Sequence, residues 1–171
     1  AECCNRRAAL LSPAQPAFAT AVAPCDAGRK GGGVRATTRL APQQRVILID
    51  TSPARRLRAT ARLSACTLSL EAIRSADGSK LAPALFIDMQ GTFAGRVNHS
   101  CAPNLKVEPW LVPSACDAAR GCVLDSEWRH YLTTTRWVEK GEELCFDYNW
   151  ENHSGKGIKC LCAAANCKGF L

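Results

Sequence analysis

Histidine and tyrosine are scarce in this chain: three of the first and two of the second among 171 residues. With one methionine and aromatics at only 6%, few large side chains are available to fill an interior. Alanine supplies much of the 47% hydrophobic content, so a modest core in one domain is expected. No apolar run approaches the ~20 residues of a membrane-crossing helix, so no membrane partner is expected. Acidic residues are the minority charge, 15 against 22 basic, for a net +7. That balance favours acidic partners such as nucleic acid or nucleosomes, although a basic surface with no single partner has the same composition. No paired-acid motif stands out, and there is no internal repeat. No methionine opens the chain, which reads as a fragment of something larger.

Cysteine, by contrast, is plentiful. The count is eleven, and an odd number argues against a closed disulfide framework. A secreted reading has some support in the sequons at Asn98 and Asn152 and in the signal-like start Arg6-Arg7-Ala8-Ala9-Leu10-Leu11. Pro13 and Pro16, however, break that apolar run early. Clustered thiols are better explained as metal ligands in a reducing compartment. Cys160, Cys162 and Cys167 form a C-x-C-x4-C tail that fits one tetrahedral zinc site lacking a fourth ligand. Cys101 is the candidate for that ligand, and such a site would fold the C-terminus over the Asn98-His99 loop.

Three strings occur in order: Asn98-His99-Ser100-Cys101-Ala102-Pro103-Asn104, then Gly141-Glu142-Glu143-Leu144-Cys145-Phe146-Asp147-Tyr148, then the cysteine tail ending at Leu171. Together they resemble the SET-domain protein lysine methyltransferases, whose pattern reads NHSC-x-PN, GEEL-x-FDY and C-x-C-x4-C-x-G-x-L. The resemblance covers roughly residues 30 to 171. It implies a mainly β SET fold of several small sheets around a knot-like C-terminal crossing, plus a short zinc-bound post-SET tail. The expected layout is an N-terminal segment over 1–29, a SET domain over 30–153 with an inserted loop at 113–127, and the tail over 154–171. Glu2 to Arg7, with Cys3, Cys4 and Cys25 nearby, reads either as the remnant of a cysteine-rich module that precedes SET domains or as a frayed terminus with free thiols.

Individual elements agree with a mostly β chain. Short strands are expected at Phe18–Ala23, Val46–Ile49, Leu85–Asp88, Val107–Val112 and Tyr131–Val138, the last followed by a turn at Glu139-Lys140-Gly141. Cys66 to Ile73 reads as strand or short helix. Cys116 and Cys122 in the inserted loop read as free thiols. Arg55, Arg56, Arg58 and Arg62 suit either phosphate contacts or a solvated basic face. Some positions depart from the family. Asp50-Thr51-Ser52-Pro53 stands where a Tyr-x-Gly-Glu signature is usual, Thr133 where an apolar residue is usual, and Arg96 lies one place nearer the Asn-His pair.

The resemblance also implies a chemistry. Methyl transfer from the sulfonium of S-adenosylmethionine to a neutral amine is an in-line displacement in which positioning and desolvation do most of the work. Tyr148 is the expected central catalytic residue, a rigid phenol that is neutral near physiological pH. Phe146 shares its strand face and is expected to set product multiplicity, whereas Asp147 points away and reads as structural. Gly31, Gly32 and Gly33 would approach the cofactor with their backbone. Arg96, Asn98 and His99 would hold it, and Leu161 and Leu171 would cover its adenine. The expected metal is zinc on Cys101, Cys160, Cys162 and Cys167. Cofactor and substrate are expected to enter from opposite faces and meet near Tyr148. The expected substrate is a histone tail or another lysine-bearing protein, and the expected place is chromatin in the nucleus. The alternative is an inactive SET module that binds chromatin or protein partners. Hints about the substrate lysine conflict: Trp110 and Glu2 to Arg7 resemble nuclear-receptor-binding SET proteins, and Cys160-Leu161-Cys162 a trithorax-like class.

Overall fold

The computed structural model describes residues 21–58, 66–113, 126–149 and 158–170. Among them, twelve short strands form four small sheets, and helix is confined to three single 3-10 turns. Strand β1 (Val22–Asp26) pairs antiparallel with β2 (Gly32–Ala36). The largest sheet has the order β3-β11-β10-β12-β9, built from β3 (Arg45–Ile49), β11 (Ser126–Thr134), β10 (Leu105–Pro113), β12 (Cys145–Phe146) and β9 (Asn98–His99). A third sheet orders β4 (Arg56–Leu57), β8 (Leu85–Asp88) and β5 (Thr67–Leu70). Strands β6 (Ile73–Arg74) and β7 (Lys80–Ala82) make a hairpin.

Alternation along these strands builds the core. Val107 lies opposite Leu132, and Leu132 opposite Ile47, so these side chains share one face of the large sheet. Leu132, Ile47, Ile49 and Leu105 are buried there together with Val34, Leu40, Val46, Ile87, Val97, Val138 and Leu144. Aliphatic side chains thus do what the scarce aromatics cannot.

One feature of the large sheet decides the topology. Strand β12 pairs in parallel with both β9 and β10, which are consecutive in sequence. The connection Ser100 to Asn104 must therefore cross over β12, and this is the knot-like crossing. Each end of that loop is bonded to the strand it straddles: Ser100 N–H donates to Phe146 O at 3.1 Å, and Asn104 N–H to Cys145 O at 3.2 Å. The buried Asn104 carboxamide accepts from Cys145 N–H at 2.9 Å and donates to Glu143 O at 2.8 Å and Glu142 Oε1 at 3.0 Å.

Several boundaries differ from expectation. Among the described residues the first strand is Val22–Asp26, running past the expected end at Ala23, because its register against the glycine strand sets Cys25 opposite Gly33 and Asp26 opposite Gly32. Asp26 Oδ1 then accepts Gly28 N–H at 2.8 Å and turns the chain. Cys66 to Ile73 resolves as strand, with β5 and the start of β6. β11 ends at Thr134 instead of running to Val138. The Thr134 hydroxyl donates to Ala41 O at 2.5 Å, and Thr135 N–H turns to Asn104 O at 2.9 Å. Val138 returns as a single bridge to Leu40, and Gly141, at φ 87°, makes the expected turn. The inserted loop is shorter at its edges than expected, since Pro113 pairs with Ser126 in the hairpin of β10 and β11. Cys3, Cys4, Arg62, Cys116, Cys122, Leu171 and residues 18–20 lie outside the described residues.

Replacing Asn104 with Ala strands the buried Cys145 N–H and the Glu143 carbonyl. Each unsatisfied group costs about 1–3 kcal/mol. The N104A variant should therefore lose about 2–4 kcal/mol of unfolding free energy in urea titration. A loss under ~0.5 kcal/mol, the range of ordinary surface changes, would show that the crossing does not depend on this side chain.

Candidate active site and thiol cluster

The crossing brings the Asn98-His99 pair and the Phe146 to Tyr148 segment side by side, with Cys145 opposite Asn98 and Phe146 opposite His99. Phe146 is buried, and its ring centroid lies 4.9 Å from that of Tyr148. The Tyr148 hydroxyl donates to Val97 O at 2.9 Å. Its proton is thereby parked on a carbonyl, which leaves the oxygen lone pairs to accept. Burial pushes the phenol up to about 12, so it stays neutral.

His99 is the most connected side chain of the site. Its Nδ1 accepts Tyr148 N–H at 3.2 Å, and its Nε2 lies 3.3 Å from Cys101 Sγ. Its ring meets Tyr148 edge-on at 5.4 Å between centroids. Burial holds the imidazole below its ordinary value, partly offset by Asp147, whose Oδ1 lies 3.5 Å from Nδ1. Asp147 itself is ion-paired with Lys168 of the tail at 3.3 Å.

A second group forms around the glycine strand. Asn98 Nδ2 donates to Gly32 O at 3.1 Å and to Glu143 Oε1 at 2.9 Å, and Glu143 is ion-paired with Lys30. The approach is close because position 33 has no side chain. A Cβ there would sit 3.0 Å from both Ala27 Cβ and Asn98 Nδ2. Gly31, at φ 82°, and Gly32 face open space. Main-chain bonds from Leu144 N–H to Val34 O (2.8 Å) and from Ala36 N–H to Glu142 O (3.0 Å) lay the Glu142–Leu144 segment along β2. β9 is the edge of its sheet, so one side of its backbone has no strand partner in that sheet.

The tail returns to the loop that crosses β12. Cys101, Cys160, Cys162 and Cys167 gather with their sulfur atoms within 4.8 Å of one another, a set that could hold a metal ion. Four sulfurs at the usual zinc–sulfur length of about 2.3 Å would stand ~3.8 Å apart, and Cys101 and Cys160 stand at 3.9 Å. Main-chain donors surround the sulfurs, Lys168 N–H to Cys101 at 3.4 Å and Gly169 N–H to Cys167 at 3.4 Å. Such contacts orient thiolate ligands. Burial, joined by the neighbouring sulfurs, pushes the Cys160 thiol up to about 12. For Cys162, bonds from the Cys101 and Ala164 main chain and the Cys160 and Cys167 thiols outweigh burial and hold it at about 6. So crowded a donor set accepts four thiolates only around a cation. The donors fit tetrahedral zinc, with no position left for water.

Some residues named from sequence stand apart. Arg96 and Leu161 are exposed, and Leu171 is outside the described residues. Arg55 donates to Gln90 O just past β8 and Arg56 to Thr51 O in its own loop, at 2.8 Å each. Thr133 is fully buried. Sequence reasoning did not single out Lys30, Glu143 or Lys168. Lys30 directly precedes the glycine run, and Glu143 and Lys168 lie inside the second and third strings.

A family model of the SET domain matches residues 31–149. The chain is 36% identical over 88 residues to the H3 lysine-36 specific histone-lysine N-methyltransferase of Saccharomyces cerevisiae, covering 50% of this chain and 10% of that protein. It is 33% identical over 82 residues to the human histone-lysine N-methyltransferase SETD2, covering 48% of this chain and 3% of that one. The chain thus spans a tenth or less of the length of these relatives. A crystal structure of KRYPTONITE in complex with mCHG DNA and SAH superposes with a TM-score of 0.59 at 24% identity, covering 87% of this chain and 28% of that one. That likeness speaks to the fold.

The thiol cluster makes a direct prediction. Protein purified without chelators should carry one zinc ion per chain by elemental mass spectrometry, and C162S should lose it together with the order of the tail. Wild-type protein free of metal would remove the cluster as a metal centre.

Proposed function

Because the chain belongs to the SET-domain family, we propose that it transfers methyl groups from S-adenosylmethionine to a lysine amine of a protein, with a histone H3 tail as the substrate class. The names of the curated relatives support this reading. So does the KRYPTONITE structure with H3(1-15) peptide and SAH. The observation that carries it is the half-buried, neutral Tyr148 phenol packed on Phe146 and edge-on to His99.

Bound S-adenosylmethionine supplies an electrophilic methyl group on sulfonium. The donor set suits its amino-acid end, which carries both signs of charge. Asn98 offers a carboxamide, Glu143 and Lys30 offer opposite charges, and Gly31 and Gly32 leave open backbone. His99 has both ring nitrogens engaged, so its contribution to binding is its main chain on the edge of the sheet. Arg96, Leu161 and Leu171 are proposed as outer contacts of the same site.

Tyr148 holds the incoming amine with oxygen lone pairs freed by its bond to Val97. Phe146 walls the amine without offering a hydroxyl to fix water. No strong base is needed if the ammonium loses its proton to solvent before transfer. Cys101, Cys160, Cys162 and Cys167 would hold zinc and close the tail over the site. The net charge of +7 supports docking on nucleosomes, and chromatin in the nucleus is the corresponding place. The second reading, an inactive module, draws on the buried Thr133 and the missing signature at 50–53. Calorimetric titration with S-adenosylmethionine separates the two, and nucleosomes with single Lys-to-Arg changes identify the lysine.

Tyr148→Phe removes one hydroxyl and keeps the ring. Turnover should fall by about 10²-fold or more while cofactor affinity stays within about twofold. Wild-type-like turnover would take Tyr148 out of the mechanism.

Phe146→Tyr adds one hydroxyl to a narrow, dry wall. A water fixed there is costly to displace and would occupy the place of a second or third methyl group. Mass spectrometry of the product should shift toward monomethyl-lysine. An unchanged product distribution would make Phe146 a packing residue only.

A further inference from the structure

Both nitrogens of the His99 ring are committed, and to different parts of the molecule. Nδ1 lies 3.2 Å from the main-chain nitrogen of Tyr148, which has a proton to give and nothing to accept with. Nδ1 must therefore be the bare nitrogen. A neutral imidazole then carries its only proton on Nε2, and Nε2 lies 3.3 Å from Cys101 Sγ. The ring is buried at 9% exposure, so neither bond is readily exchanged for water.

We infer that His99 is a positioning residue that ties the thiol cluster to Tyr148, holding the Tyr148 main chain through Nδ1 and the Cys101 sulfur through Nε2–H. The inference rests on reading Tyr148 as the group that holds the amine. The consequence is mechanical. Cys101 sits in the loop that crosses β12, and its sulfur is fixed by the other three thiols when they share a metal. One rigid ring then sets the distance from that sulfur to the Tyr148 backbone, while Val97 O holds the phenol end. Tyr148 is thereby gripped at both ends, and one grip passes through the metal centre. The competing arrangement puts the proton on Nδ1 toward Asp147 Oδ1, at the longer 3.5 Å, and leaves Tyr148 N–H without an acceptor.

The test uses the zinc-loaded full chain. Nitrogen-15 spectra of wild type should show His99 with a bare Nδ1 and a protonated Nε2. The variants His99→Asn and His99→Gln divide the two bonds, because an Asn oxygen reaches the place of Nδ1 and a Gln amide reaches the place of Nε2. H99N should keep the Tyr148 amide protected from hydrogen exchange but yield zinc to a chelator about 10–100-fold more readily. H99Q should keep its zinc, exchange the Tyr148 amide about tenfold faster, and lose more turnover than H99N. A protonated Nδ1 in wild type overturns the inference outright. So do two variants that lose amide protection and zinc together, since that marks His99 as plain scaffold. If wild type transfers no methyl group, the proposed function falls, and the tautomer, exchange and zinc readouts still decide this inference.

Discussion

The passage of β12 between two strands that follow one another in sequence is the constraint on which the rest of the structure depends. A central strand that arrives late must find both neighbours already spaced for it, and their connection must arch over it. Only two residues, Cys145 and Phe146, make the ladder. So short a strand is held by what surrounds it. Asn104 clamps the loop to it, Leu144 anchors its entry in the core, and Ser100 closes the far side. The same insertion sets Phe146 and Tyr148 against His99 and Asn98. Fold and candidate site are therefore one event, and no separate scaffold carries the site.

The tail depends on a different kind of force. Of the described residues 158–170, only Cys160 is buried, while Ile158, Leu161 and Phe170 remain exposed. Apolar burial contributes little there. The tail is held by the sulfur cluster, by Asn166 donating to Cys101 O at 2.9 Å, and by the pairing of Lys168 with Asp147. The ion pair is largely exposed and is worth at most about 1 kcal/mol. A metal shared by four thiolates is the one contribution large enough to order such a segment.

Much of this was legible in the sequence, and the reasons differ by element. Strands at Val46–Ile49, Leu85–Asp88 and Val107–Val112 were readable because β-branched and apolar residues cluster between turn formers. The gathering of Cys101 with the tail followed from a tetrahedral ion needing a fourth ligand. The end of β11 at Thr134 was not readable, because the hydroxyl bond to Ala41 that turns the chain is a tertiary contact. The end of β1 at Asp26 was missed for the same reason, its register being set by the glycine strand opposite. His99 was named from the sequence as a residue that would hold the cofactor, and its two ring contacts were not foreseen. Spacing shows which residues are near, and only geometry shows that both ring nitrogens are taken. Asp147 was expected to point away as structure, and its contacts to His99 and Lys168 give that structural part a definite content.

The charges follow a pattern that suits the proposed chemistry. In the interior of the site, burial holds the groups neutral, the Tyr148 phenol raised and the His99 imidazole lowered. The formal charges stand at the rim in opposite pairs, Lys30 with Glu143 and Asp147 with Lys168. A transfer in which a neutral amine takes a methyl group from a cation needs a dry passage without a fixed positive charge to repel that cation. It also needs polar atoms aimed at the reacting groups before they arrive, since dipoles that must reorganise contribute less. The Tyr148 hydroxyl, held on the Val97 carbonyl, and the free edge of β9 would be such atoms in the proposed transfer. The scarcity of histidine and the lack of paired acids agree with the proposed transfer, in which positioning does most of the work and no strong base is needed.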